Sequence, residues 1–206
     1  MAMTITYVYG DNLYVNTTNR CNCNCTFCLR ASGDGVGTAN SLWLEREPAR
    51  EEILADIRSR DASAYKQLVF CGYGEPTYRL DDILWVCRRL KEAGFPLPIR
   101  MDTNGHGDLI CGRPVAREME GLIDVLSISL NNATAEAYAA RCRPAQGEAA
   151  YQAMLDFTRE AVKHVPKVVM TVVDNMPAEE IEACRRICED LGATFRVRVY
   201  STDWQR

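Results

Sequence analysis

The chain has 206 residues, 47% of them hydrophobic and 25% charged, with a net charge of −4, which is enough to bury one sizeable core. No apolar run approaches the roughly 20 residues that cross a bilayer, and the first residues lack the basic start and apolar stretch of a signal peptide, so the cytoplasm is the expected compartment. The acidic balance weighs against a sequence-independent grip on nucleic acid, and ten cysteines in such a chain point to metal rather than to a disulfide scaffold.

In chain order, TITYVYGDNLYVNTT reads as strand, tight turn and strand about Gly10-Asp11-Asn12. The run NRCNCNCTFCLR follows, then a glycine-rich polar loop from Ala31 to Ser41, expected to be mobile. Pro48 to Arg60 has the period of an amphipathic helix, with Ile53, Leu54 and Ile57 on one face. Gln67 to Gly72 is a short apolar strand, and a helix from Leu80 is stopped by Gly94. A strand from Ile99 to Asp102 runs into Thr103-Asn104-Gly105. A short helix is expected over Arg113 to Gly121, and a strand over Ile123 to Leu130. A helix covers Gly147 to His164, a strand Lys167 to Val173, a helix Pro177 to Leu191 and a last strand Thr194 to Tyr200. Apolar strands alternating with helices mean parallel pairing with helices outside. Six repeating strands fall short of the eight of a full barrel, so a single α/β domain over residues 1–206 is predicted.

In such folds chemistry collects at the C-terminal ends of strands. Those ends carry the cysteine run, CGYGEP (Cys71 to Pro76), DTNGHG (Asp102 to Gly107), Ser127, Ser129 and Asn131, and finally Arg196, Arg198 and Tyr200 on one strand face. Cys21, Cys25 and Cys28 form C-x3-C-x2-C, and thiolates suit zinc, copper(I) or iron–sulfur clusters. A structural zinc site wants four closed ligands. Cys23 would be the fourth, but C-x-C-x-C cannot turn every side chain inward without straining the loop. Three thiolates on a four-iron cluster would leave one iron open. Cys87, Cys184 and Cys188 share apolar helix faces and read as core, while Cys111 and Cys142 fall in loops and make no second cluster. His106 reads as a loop histidine, more often solvated than catalytic. Arg141 and Arg143 make a basic pair read as solvent-facing, with an anionic substrate as the alternative.

The triplet with Phe27 just before its last cysteine resembles the signature of the radical S-adenosylmethionine (radical SAM) superfamily, and GYGEP resembles its GGE-type motif. DTNG is similar to the corresponding strand of glycyl-radical-enzyme activases and of 7-carboxy-7-deazaguanine synthase. The wider pattern CNCNCTFCLR, GDGVG, CGYGEPTYRLDD, RMDTNGHGDLI, ISLNN and CRP looks most like the short TatD-linked radical SAM proteins, over nearly the whole chain. The resemblance implies a partial (β/α)6 barrel with an N-terminal β-hairpin extension. It also implies one [4Fe–4S] cluster on Cys21, Cys25 and Cys28, with Cys23 a bystander pointing away. S-adenosylmethionine would be cleaved reductively to a 5′-deoxyadenosyl radical that takes hydrogen from an unidentified substrate, a nucleotide or small metabolite.

By the same resemblance Phe27 would lie near the adenine, and Gly72, Tyr73, Gly74 and Glu75 would line the methionine part, with Glu75 facing its ammonium. Tyr73 departs from the usual glycine, so its side chain must point away or shape the pocket. Asp102, Thr103 and Asn104 sit where related activases contact cofactor or a monovalent cation. Ser129 and Asn131 would reach the ribose or carboxylate, and Arg198 and Tyr200 would finish the pocket. The implied partners are a low-potential electron donor such as flavodoxin or ferredoxin and a functional link to a TatD-type nuclease, with no membrane. The alternative function is activation of a partner protein by forming a glycyl radical. Against it, Cys28 is followed by Leu-Arg rather than the residues typical of activases.

Overall fold

The computed structural model describes residues 3–31 and 33–200. Strands β1 (Thr6–Tyr9) and β2 (Asn12–Val15) form an antiparallel hairpin, with Tyr9 opposite Asn12 and Gly10 at a φ of 55° in the turn. From β2 onward the sheet is parallel and follows chain order through β3 (Leu68–Phe70), β4 (Ile99–Thr103), β5 (Val125–Ser129), β6 (Lys167–Val173) and β7 (Thr194–Arg198). β1 pairs only with β2 and β7 only with β6, so the sheet curves without closing. This is the expected hairpin-extended, partial α/β barrel.

Helices α1 (Arg50–Arg58), α2 (Leu80–Glu92), α3 (Gly107–Cys111), α4 (Ala135–Cys142), α5 (Ala149–His164) and α6 (Ala178–Asp190) supply the crossovers. Glu52 accepts from the Ala49 amide at 2.7 Å and so satisfies a donor at the start of α1. Gly94, at a φ of 71°, follows the end of α2. Strand alternation divides the side chains. Leu13, Phe70, Met101, Ile128 and Met170 join Ile83, Val86, Phe157 and Cys188 from the helices in the main core. On the opposite, concave face the parallel register aligns Tyr14, Val69, Arg100 and Val125, and one row above them Asp102, Ser127, Val169 and Thr194.

Three expectations are corrected. The helix over Arg113 to Gly121 is only a single 3-10 turn, Ala116–Met119, and the helical segment of that connection is α3, just after DTNG. α4 was not anticipated, because AEAYAARC buries only Tyr138 and Cys142. Thr134 caps it, accepting from the Ala137 amide. The glycine-rich loop is not loose. Val36, Ala39 and Leu42 are buried with Tyr7 and Tyr73 in a second small core, and Val8 and Thr38 exchange two hydrogen bonds across edge strand β1. Gly37 has a φ of 58°, and a Cβ there would stand 2.0 Å from the Val8 oxygen, so the loop covers an otherwise open sheet edge.

Candidate active site

The cysteine run leaves β2 and is tied to three neighbouring segments. Toward the β3 end, the Glu75 amide donates to the Arg20 oxygen at 2.7 Å. The chains are so close there that a Cβ on Gly74 would lie 2.3 Å from the Thr18 oxygen. Toward the β4 end, Asn104 Nδ2 donates to Asn22 Oδ1 at 2.7 Å. On the third side residues 22–26 run antiparallel to 141–145. Cys23 bridges Pro144, and the amides of Asn24 and Thr26 donate to the oxygens of Cys142 and Arg141. The CRP segment is therefore a backbone splint for the cysteine loop. Arg141 is only partly exposed: its guanidinium lies 4.7 Å from the Phe27 ring centre and donates to Asn175.

Cys21, Cys25 and Cys28 are partly exposed, whereas Cys23 is buried. Its Sγ turns inward, 3.5 Å from Asn104 Nδ2 and 3.8 Å from His106 Nδ1, so it is packed between the loops rather than directed to solvent. Hydrogen bonds from the Cys142 and Cys23 thiols pull the Cys25 thiol down to about 4, and a hydrogen bond from Cys23 lowers Cys21. Cys23 is pushed the other way by the same contacts, Cys21 first. Thiols drawn toward thiolates are in the metal-ligand form. Among the described residues no three His, Cys, Asp or Glu side chains converge on a point that would hold a single metal ion.

Glu75 is buried and already saturated on one oxygen. Oε1 accepts from the Thr77 amide, the Thr77 hydroxyl and, at 2.6 Å, the Thr103 hydroxyl, while Oε2 accepts from the Asn104 amide at 2.7 Å. Burial raises its pKa and these bonds oppose the rise. Glu75, Thr103 and Asn104 thus latch the β3 and β4 loops to the cysteine loop. Gly72 is required by the packing too, since a Cβ there would meet Asn16 Oδ1 at 2.0 Å. Tyr73 points away. Its hydroxyl donates to the Gly33 oxygen at 2.5 Å and its ring meets Trp43 edge-on.

His106 departs most from expectation, being fully buried. Asn22 Nδ2 donates to its Nδ1 at 2.9 Å, which places the ring proton on Nε2, donating to the Tyr138 hydroxyl at 3.0 Å. Burial pushes its pKa down to about 4, so at neutral pH it is an uncharged strut.

On the concave face Asp102 is held bidentately by Arg100, at 2.6 and 2.8 Å. Both carboxylate oxygens of Asp102 are thus engaged by that guanidinium. Ser129 ends β5 half-buried. Asn131 has a φ of 61°, and its buried Oδ1 and the buried Nε of Arg198 have no hydrogen-bond partner among the described residues. Tyr200 lies beyond β7, 41% exposed, with its amide on Asp174, so it stands at the rim rather than inside.

A family model described as the radical SAM superfamily matches residues 15–188. The chain belongs to the radical SAM superfamily. It is 30% identical over 172 residues to a probable GTP 3′,8-cyclase of Thermococcus kodakarensis, covering 82% of this chain and 50% of that protein. It is 29% identical over 191 residues to the GTP 3′,8-cyclase of Corynebacterium glutamicum, covering 90% and 48%. The chain therefore spans about half the length of these curated relatives. Of solved structures, Streptococcus suis SuiB bound to its precursor peptide SuiA superposes with a TM-score of 0.67 at 17% identity, covering 94% of this chain and 40% of that one. A radical SAM methyltransferase from Sphaerobacter thermophilus gives 0.65 at 20%, covering 94% and 57%. This radical SAM chain is an enzyme, and its family implies a [4Fe–4S] cluster and S-adenosylmethionine. The residues fit them: three partly exposed sulfur donors stand on one loop, and neighbouring thiols draw Cys21 and Cys25 toward the thiolate form. Sequence reasoning missed Asn22, Tyr138 and Cys142. CRP was the available signal for Cys142, whereas Asn22 and Tyr138 gave none before the loops were seen together.

Proposed function

We propose that residues 1–206 form one radical SAM core domain with a single [4Fe–4S] cluster, held by Cys21, Cys25 and Cys28. When bound, the cluster and S-adenosylmethionine would supply a 5′-deoxyadenosyl radical able to take hydrogen from a nucleotide or small metabolite. The observation that carries this reading is the division of the four thiols: three partly exposed, with Cys23 buried against Asn104 and His106. The cyclase relatives' printed substrate supports the nucleotide class.

In this reading the Glu75 latch and the 141–145 splint fix the loop before ligands arrive, so little ordering cost falls on binding. Phe27, backed by Arg141, faces the adenine. Gly72, Gly74 and the remaining lone pair of Glu75 Oε2 border the methionine ammonium, with Tyr73 anchoring the wall behind them. Asp102, Thr103 and Asn104 hold that wall in place. Ser129 and Asn131 offer hydrogen bonds to the ribose or carboxylate, and Arg198 and Tyr200 bound the far rim. These groups exclude water from a site whose radical would otherwise be quenched. No helix of the described residues is long and apolar enough to cross a membrane. We assign the protein to the cytoplasm, with flavodoxin or ferredoxin as electron donor and a functional link to a TatD-type nuclease.

The test is anaerobic reconstitution with iron and sulfide, followed by reduction with S-adenosylmethionine and chromatography for 5′-deoxyadenosine. Wild type and Cys23→Ala are expected to bind iron and form 5′-deoxyadenosine, and the Cys21→Ala/Cys25→Ala/Cys28→Ala variant to do neither. A wild type that takes up zinc and forms no 5′-deoxyadenosine would overturn the reading.

A further inference from the structure

A cavity of about 300 Å³ opens on the concave face, toward the strand starts and away from the cysteine loop, at the lower end of the range for small-molecule sites. Arg100, Lys167 and Arg196 line it with Gln67, Ser127 and Thr194, and no carboxylate does. Three cations around one hollow are unexpected in a chain of net charge −4. A larger cavity of about 430 Å³ on the outer surface makes the contrast. There Arg20, Arg79 and Arg113 are each paired with Glu47, Asp81, Asp82 or Glu118. In the inner cavity Lys167 and Arg196 have no ion-pair partner among the described residues. Arg100 is fixed by Asp102 through Nε and Nη2, which leaves Nη1 to donate elsewhere.

We propose that this cavity binds the phosphate groups of a phosphorylated small-molecule substrate. The proposal deepens the radical SAM reading and rests on it. Two free cations, a preset guanidinium edge, two hydroxyls and an amide suit a group with several charged acceptor oxygens better than a single carboxylate. Ser127 lines the cavity and Ser129, two residues on, ends the same strand beside Asn131. Arg100 and Lys167 align with Val125, four residues or about 13 Å before Ser129, so a molecule with its phosphate held there would extend that far along the face, toward the cysteine loop. A nucleoside phosphate can span such a distance. The small volume, about 300 Å³, favours such a molecule over a nucleic-acid strand, which needs a long groove.

The experiment is calorimetric titration of the reconstituted full chain with inorganic triphosphate at about 0.15 M salt, where long-range attraction is screened. Lys167→Ala/Arg196→Ala removes the two free cations, both on exposed side chains, and a circular-dichroism melt checks that it remains folded. Arg58→Ala/Arg186→Ala removes equal charge from exposed positions on α1 and α6. Triphosphate is expected to bind wild type and the α1/α6 variant alike, and the cavity variant roughly tenfold or more weakly. Absence of binding to wild type, equal weakening in both variants, or binding of a ten-nucleotide RNA but not of triphosphate would overturn it. Binding is read without turnover, so loss of 5′-deoxyadenosine formation would count against the radical reading and not against this site.

Discussion

Replacing His106 with glutamine separates its role as a neutral strut from that of a proton carrier. In the unfolded chain a histidine titrates near 6.5, whereas folded His106 does so near 4 because it is buried. A depressed folded value means that its full contribution to stability is present above about pH 6.5 and is lost as pH falls toward 4. At pH 5 the unfolded state has taken up the proton and the folded state has not, a difference of about 2 kcal/mol. The side chain is 0% exposed, so solvent screening takes little from that figure. Glutamine keeps a donor for Tyr138 but does not titrate. At pH 7.5 the variant is expected to be about 1–2 kcal/mol less stable, from imperfect replacement of the Asn22 and Tyr138 hydrogen bonds. Between pH 7.5 and 5 wild type should lose about 2 kcal/mol more than the variant, so that the gap closes. Urea unfolding of both proteins at both pH values, followed by circular dichroism, gives the four free energies. Parallel pH dependences would refute the buried-neutral assignment.

Tyr73→Phe removes the bond to the Gly33 oxygen and should cost about 0.5–1.5 kcal/mol. The readout is faster limited proteolysis within residues 31–42, and an unchanged cleavage rate would argue that the small core alone pins the loop. Gly74→Ala sets a methyl 2.3 Å from the Thr18 oxygen and 2.6 Å from that of Arg20. Both are backbone atoms, so the cysteine loop must move, at about 1–3 kcal/mol. A lower melting temperature together with less iron bound per chain is expected, and full iron loading would show that the loop tolerates the shift.

The cysteine spacing, the parallel strands and the motifs at their ends were legible in the sequence, because each depends on local spacing or on a two- or 3.6-residue period. The limits of that reading are equally physical. α4 has few apolar residues, and its helicity rests on the Thr134 cap and on Tyr138 and Cys142 packing inward. The burial of His106 depends on Asn22, 84 residues away, and the role of CRP on a backbone pairing across more than 100 residues. Glu75 reads as a ligand for an ammonium, yet the fold first engages it with Thr77, Thr103 and Asn104.

Sequence alone determined the chemistry on offer: three thiols at C-x3-C-x2-C spacing, a buried-strand rhythm and polar residues at strand ends. Only the tertiary structure decided which of these groups stay free for a ligand. It buried Cys23 and left the other three partly exposed, paired Asp102 with Arg100, and left Lys167 and Arg196 without an ion-pair partner among the described residues in one cavity. The reason is that hydrogen bonds and ion pairs between distant segments depend on where the loops meet in space, and no local pattern encodes that meeting.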